Sequence, residues 1–467
     1  MSATITLDRD AAGPLSQQIA DRLRTAIAGG TLAPGARLPS ARSLAGQLGV
    51  ARGTVDAAYA MLAGEGTLEP RGPAGTIVSK ALSSRPTPPI QRPMPFAARP
   101  ARAPEAPLPF RPGLPALDAF PRKLWSTLSV RAARSLGTAD LAYPDPSGHR
   151  PLREQIAAYL GVSRGIACTA DQVLVTGGYQ GALALAIHVL LRPGDPVWIE
   201  DPGYHLARQA LEAVGARLVP VRVDRDGMRV AAGITSAPRA KLAVVTPTHQ
   251  CPLGVGLALP RRLALLAWAA DAGAWVLEDD YDSEFRYTGH RLPALKSLDR
   301  AGRVLYAGSF SKVLFPGLRL GYLVVPDELS EAFLRAARLL QHGQPVLPQR
   351  IVTAFMAEGH FARHLRRMRS LYAARRRAVA DALLTVFGDR VSVELEAGGM
   401  HLLARFPAAA DDGTQARRAA EAGLAPSALS PLAVGHDCGQ GLLLGFTNVA
   451  EGEAEALVRR LAASIAA

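Results

Sequence analysis

Cysteine is scarce in this chain: Cys168, Cys251 and Cys438 are the three among 467 residues, far apart and odd in number. That excludes a disulfide framework and offers no zinc-ligand spacing, so a reducing cytosol and no metal site are expected. Long hydrophobic runs are missing as well. Residues 181–191 are too short to span a bilayer, and Asp271 interrupts the longer apolar stretch, so no membrane partner is expected. The first ten residues lack a basic segment followed by an apolar core, and no secretory leader is read. Acidic residues are in short supply, 40 Asp and Glu against 53 Lys and Arg, for a net charge of +13. The surplus, mostly arginine, favours polyanionic partners; it bears on association rather than on fold. The remaining composition, 48% hydrophobic and 20% charged, is that of a globular protein with a sizeable core. The length predicts two or three domains.

Three regions separate by composition. Residues 1–80 are compact and helix-patterned, and residues 81–109 are rich in proline and arginine with almost no apolar periodicity. The latter predict an extended, semi-rigid spacer. Over residues 110–467 strand-like runs alternate with amphipathic helical runs, which predicts an α/β domain with a mainly parallel sheet.

In the first region Leu15, Ile19, Leu23 and Ile27 recur at helical spacing before Gly29-Gly30. Ser40 can cap a second helix that carries Leu44 and Leu48 and stops at Gly49. A third helix runs from about Ala51 to Gly64, and residues 67–78 read as two short strands around a Gly-Pro turn. Two helices joined by a tight turn and followed by a hairpin make a winged helix-turn-helix. Arg37, Arg42, Arg52 and Arg71 fall at element starts and at the hairpin tip, with Ser40, Thr54 and Gly75 nearby. A recognition helix enters the major groove N-terminus first, where Arg52 and Thr54 can reach phosphates and base edges.

The pattern Pro14-Leu15, Gln18-Ile19, Leu23, Pro34-Gly35, Arg37-Leu38-Pro39-Ser40-Ala41-Arg42, Leu48-Gly49-Val50, Arg52, Thr54-Val55 and Gly64-Glu65-Gly66 closely resembles the GntR family of bacterial transcription regulators. The resemblance covers nearly all of residues 14–78. It implies binding of promoter double-stranded DNA through Arg42, Arg52 and the wing residues Arg71 to Gly75. Ala51 and Gly53 depart from the family's usual serine and asparagine, and the first of these removes a hydroxyl that would reach phosphate.

A second chemistry lies in Ser309-Phe310-Ser311-Lys312-Val313-Leu314-Phe315-Pro316-Gly317-Leu318-Arg319, which follows a strand-like run. A lysine flanked by hydroxyls, with an arginine beyond a short Pro-Gly loop, suits a cofactor that carries an aldehyde and a phosphate. The amine condenses with the aldehyde; the hydroxyls and the guanidinium hold the dianion. Pyridoxal 5'-phosphate also needs a carboxylate at its ring nitrogen, and Asp279 at the end of an apolar strand is placed for that, with Tyr281 as donor to the ring hydroxyl. Gly178, Tyr179 and Gln180 open a helix after a strand, a seat for phosphate. Tyr204 follows another strand and could stack on the ring, while His249 reads equally as a structural hydrogen bonder or an acid–base group.

In this order the segments resemble the fold type I pyridoxal-phosphate enzymes, the aspartate aminotransferase superfamily. The resemblance implies that Tyr143 reaches the phosphate of a neighbouring subunit, and hence a homodimer. The two resemblances joined by a spacer look like the MocR/GabR subfamily of GntR regulators. Two positions depart from the enzymes: Leu443 stands where a carboxylate-binding arginine is common, and Cys251 where an asparagine is common. Leucine cannot replace a bidentate guanidinium, so efficient general transamination is not expected. Arg208 and His401 are further candidates to face a ligand. The expected function is a pyridoxal-phosphate-dependent transcription regulator in the cytoplasm that senses an amine or amino acid, or the cofactor itself, through aldimine chemistry at Lys312. The rival is an active aminotransferase with an accessory DNA-binding domain.

Overall fold

A computed structural model describes residues 7–8, 13–82, 107–289, 293–406 and 411–466. The chain divides into two compact units, Met1–Pro104 and Glu105–Ala467. Most of the spacer expected over residues 81–109 lies outside the described residues.

The N-terminal unit is three helices and a hairpin. Helix α1 (Leu15–Ala28) buries Ile19, Ala20 and Leu23 and ends at Gly29. Helix α2 (Ala41–Leu48) starts where the Ser40 hydroxyl accepts from the Ser43 N–H at 3.2 Å, and Gly49 closes it in the left-handed region at φ 63°. Helix α3 (Arg52–Gly64) packs Val55, Ala58, Tyr59 and Leu62 inward. Ala51 precedes α3 with no side-chain acceptor for its free N–H groups. The Tyr59 hydroxyl donates to the Pro39 carbonyl at 2.9 Å and ties α3 to the turn before α2. Strands β1 (Leu68–Pro70) and β2 (Thr76–Val78) pair antiparallel, Leu68 opposite Val78.

The larger unit is built on an eight-stranded sheet. Its strands are β3 (Val173–Thr176), β4 (Pro196–Asp201), β5 (Arg217–Asp224), β6 (Gly227–Met228), β7 (Leu242–Val245), β8 (Trp275–Asp280), β9 (Val304–Ser309) and β10 (Gly321–Val324). The order is β3-β10-β9-β8-β7-β4-β5-β6. The contiguous strands β9, β8, β7, β4 and β5 are parallel. Strand β10 runs antiparallel to both β3 and β9, and β6 antiparallel to β5. Both faces are covered, so the middle stretches of the central strands are apolar, with acids closing β4 and β8. Leu277 and Leu305 pack on one side with Leu183 and Phe333, while Val276 and Val304 pack on the other with Leu265 and Trp268.

The 28-residue helix His360–Phe387 leads to a four-stranded antiparallel sheet, β11 (Ser392–Glu394), β12 (His401–Arg405), β13 (Ser427–Ala428) and β14 (Leu442–Gly445), in the order β11-β12-β14-β13. The described chain is tied to this unit slightly before residue 110. Asn448 donates to the Leu108 carbonyl at 2.9 Å, and the Ala425 N–H donates to the Pro109 carbonyl at 2.8 Å. Among the described residues no helix is long and apolar enough to cross a membrane.

Candidate cofactor and effector site

Parallel strands share one direction, so the loops after β4, β7, β8 and β9 emerge on the same edge of the sheet, where α/β folds gather ligands. A cavity of about 330 Å³ opens there. Lys312, three residues beyond β9, is among its lining residues, and its Nζ donates to the Gly113 carbonyl at 2.7 Å. Burial lowers the proton affinity of Lys312, and the acidic neighbours Cys251, Asp282 and Asp279 act in the opposite sense. A less basic amine is the better nucleophile near neutral pH.

Asp279 and Tyr281 line the same cavity. Burial first, then repulsion from Asp280, raises the Asp279 carboxyl well above the usual range, and Lys312 acts in the opposite sense. Such a carboxyl is poised to share a proton with a ring nitrogen. Behind Tyr281, His249 Nδ1 lies 2.9 Å from the tyrosine hydroxyl and 3.1 Å from Asp282 Oδ2. His249 therefore supports Tyr281 from the rear.

The anion end is assembled from three directions. Gly178, at φ 81°, caps the helix Tyr179–Leu190, whose first two residues line the cavity. Arg319 follows the tight turn Pro316–Leu318 at φ 51°, and its guanidinium donates to the Gly177 carbonyl at 3.1 Å. Ser309 and Ser311 complete that side, with the Ser311 N–H donating to Ser309 Oγ at 3.1 Å. A guanidinium, two hydroxyls and a helix start form a seat for a phosphate dianion. Tyr204 lines the cavity next to Tyr179, ring centroids 6.0 Å apart. This donor set fits pyridoxal phosphate: a buried amine, a buried carboxyl and an anion seat around one cavity of cofactor size.

Other expected residues divide. His401, Cys251 and Leu443 line the cavity. Arg208 lines a smaller adjoining cavity of about 30 Å³. Tyr143 is 93% exposed and outside the cavity of its own chain. Four participants were not singled out from the sequence. Gly113 lies 199 residues from Lys312 and holds φ 74° where a Cβ would sit 2.6 Å from Nζ. Leu432 and Ser427 enter from the C-terminal sheet region. Glu200, in the adjoining cavity, accepts from the Thr246 N–H at 3.1 Å and its hydroxyl at 2.5 Å, and burial pushes it up to about 7.

In the N-terminal unit Arg37, Ser40, Arg42, Arg52 and Arg71 are exposed, and Thr54 is half-buried at the start of α3. Gly75, at φ 91°, lies against the Arg37 side chain: a Cβ there would come within 3.0 Å of its Nε. Arg52 Nε is 3.3 Å from Asp56 and Arg71 is 3.2 Å from Glu69, exposed pairs that leave both cations available to phosphate.

The larger unit is thus a pyridoxal-phosphate domain of the aminotransferase fold, carried on a chain that begins with a helix-turn-helix. Comparison with known proteins agrees on both halves: residues 122–440 match aminotransferase class I and II, and residues 15–78 match the bacterial regulatory proteins of the gntR family. The chain is 39% identical over 457 residues to the probable rhizopine catabolism regulatory protein MocR of Rhizobium meliloti, covering 95% of this chain and 92% of that protein. It is 38% identical over 397 residues to the HTH-type transcriptional regulator TauR of Rhodobacter capsulatus, covering 79% and 80%. Among solved structures, the α-aminoadipate aminotransferase LysN of Thermus thermophilus, complexed with N-(5'-phosphopyridoxyl)-L-leucine, superposes with a TM-score of 0.70 at 31% identity, over 77% of this chain and 92% of that one. The chain belongs to the MocR/GabR subfamily of GntR transcription regulators, and is a DNA-binding regulator whose cofactor is pyridoxal 5'-phosphate.

Proposed function

We propose that this regulator couples the occupancy of the Lys312 cavity by an amine to promoter binding. Bound there, pyridoxal phosphate supplies an aldehyde able to take up a primary amine, either the Lys312 side chain or an effector. Asp279 holds a proton at the ring nitrogen, and Tyr281, braced by His249, donates to the ring hydroxyl. Arg319, Ser309, Ser311 and the helix start at Gly178, Tyr179 and Gln180 bind the phosphate, while Tyr204 flanks the ring. When free, the lysine rests on the Gly113 carbonyl. One observation carries the reading: Lys312 and Leu443 line one cavity, so the group that takes the cofactor is kept while the same lining offers leucine in place of a guanidinium.

Tyr143, exposed on its own chain, is assigned to the phosphate of a second copy, which makes the working form a homodimer. Residues 1–80 act as a winged helix in which Arg42, Arg52 and Thr54 address the major groove, Arg37 and Ser40 the adjacent backbone, and Arg71 to Gly75 form the wing. Residues 81–109 join this unit to the effector and dimerisation domain over residues 110–467, and the protein works in the cytoplasm. Two DNA-binding units per dimer call for paired half-sites and steep salt dependence. The amine acts only by favouring one arrangement over another through differential affinity.

Gel shift of the full-length protein on the DNA flanking its own gene, with and without amines and pyridoxal phosphate, tests this. A change in affinity that Lys312→Ala abolishes supports it. No response to any amine or to the cofactor, with steady transamination instead, favours a catalytic role.

A further inference from the structure

We propose that the effector is a primary amine bearing neutral hydrogen-bonding groups, such as hydroxyls, and no carboxylate, sulfonate or phosphate of its own. The inference rests on the reading that an amine enters the Lys312 cavity, and narrows what that amine is. Of the described lysines and arginines only Lys312 and Arg319 line this cavity, and Arg319 belongs to the helix-start anion seat. The wall formed by the C-terminal sheet region is different. Leu443, on β14 between Leu403 of β12 and Ser427 of β13, is 4% exposed, and Leu432 lies nearby in the lining.

Three further polar groups of the lining, His401, Cys251 and Ser427, are neutral. His401 Nε2 is 2.9 Å from the Pro252 carbonyl, which can only accept, so that nitrogen carries the proton and the other ring nitrogen is an acceptor. Burial pushes His401 down to about 4, so the ring stays uncharged. The Cys251 thiol is pushed up to about 12 by burial and then by Asp279, so it too is neutral. Ser427 adds a hydroxyl. A carboxylate placed against this wall would lose its hydration without gaining a cation from the lining. An alcohol finds acceptors and donors there and carries no such penalty. Two arginines outside this lining compete for an acidic effector: Arg208 lines the smaller adjoining cavity and has Glu212 at 4.0 Å, and the exposed Arg111 lies close enough to lower the proton affinity of Lys312.

The test uses the full-length protein reconstituted with pyridoxal phosphate. It is titrated with matched pairs of amines, alaninol against alanine and aminobutanol against aminobutyrate, following both the cofactor spectrum and the thermal midpoint. In each pair the alcohol is expected to bind about tenfold or more tightly than the acid. Leu443→Arg is expected to reverse the order; the wild-type comparison decides the matter whether or not that variant folds. Acids that bind as well as or better than alcohols overturn the proposal, as does acid binding that Arg208→Gln removes. A response to acids alone overturns this proposal and leaves amine sensing standing. No response to any amine, in protein whose cofactor band is intact, overturns both.

Discussion

Lys312 Nζ and the Gly113 carbonyl oxygen are 2.7 Å apart although 199 residues separate them in the chain. The contact closes the N-terminal edge of the larger unit onto Lys312, and it exists because residue 113 has no side chain. A Cβ there would lie 2.6 Å from Nζ, on a backbone at φ 74° that L-residues rarely adopt. Gly113→Ala therefore displaces the lysine or strains the loop by about 1–3 kcal/mol. The expected result is cofactor affinity weakened about tenfold or more, read by titrating apoprotein with pyridoxal phosphate. Unchanged affinity would remove Gly113 from the site.

Arg319 is assigned to the phosphate. Losing a charged hydrogen bond costs about 1.5–3 kcal/mol, so Arg319→Gln is expected to weaken cofactor binding about ten- to a hundredfold. Free phosphate should then compete poorly with the residual binding. Equal affinity in wild type and variant would place the anion seat elsewhere.

Glu200 sets a pH dependence in the apoprotein. Burial raises it from 4.5 to about 7, so the folded state binds the proton more tightly than the unfolded chain does. Its contribution is fully present below pH 4.5 and is lost as pH rises through about 7. The shift corresponds to about 3 kcal/mol. Glu200→Gln keeps an acceptor for Thr246 and removes the charge. It is expected to raise the thermal midpoint above neutral pH and to leave it nearly unchanged in mild acid. A variant that is destabilised equally at both would show that Glu200 is ionised throughout.

Promoter binding should respond to single arginines in a graded way. Arg42→Ala or Arg52→Ala is expected to reduce the salt slope of affinity by about one phosphate contact each. If only one operator position loses discrimination, the residue reads a base edge rather than the backbone. Quantitative gel shifts across a salt series, on operator and on scrambled DNA, separate the two. No change in either quantity would exclude both arginines from the interface.

Much of this site was legible because its parts are local. A lysine between hydroxyls after an apolar run, acids closing another strand, and glycines opening a helix each announce themselves within a dozen residues, and parallel strands then bring them to one edge. Helix ends read equally well: Ser40 caps α2 and Gly49 closes it, as their side-chain chemistry requires. What could not be read came from distance and orientation. Gly113 is one glycine among 44, and only the fold brings it to Lys312. Leu432 and Ser427 reach the cavity from loops and a two-residue strand without periodicity. The antiparallel insertion of β10 between β3 and β9 likewise has no signature in an apolar four-residue run. Tyr143 is 93% exposed on its own chain, and the role proposed for it requires a second copy.

Borohydride reduction of the full-length protein with its cofactor, followed by peptide mapping by mass, bears most directly on the claim that Lys312 is the residue to which pyridoxal phosphate is joined. The account predicts one phosphopyridoxyl group per chain, on Lys312, and none after Lys312→Ala. A modified peptide centred on another lysine, or no modified peptide from protein saturated with cofactor, would contradict it.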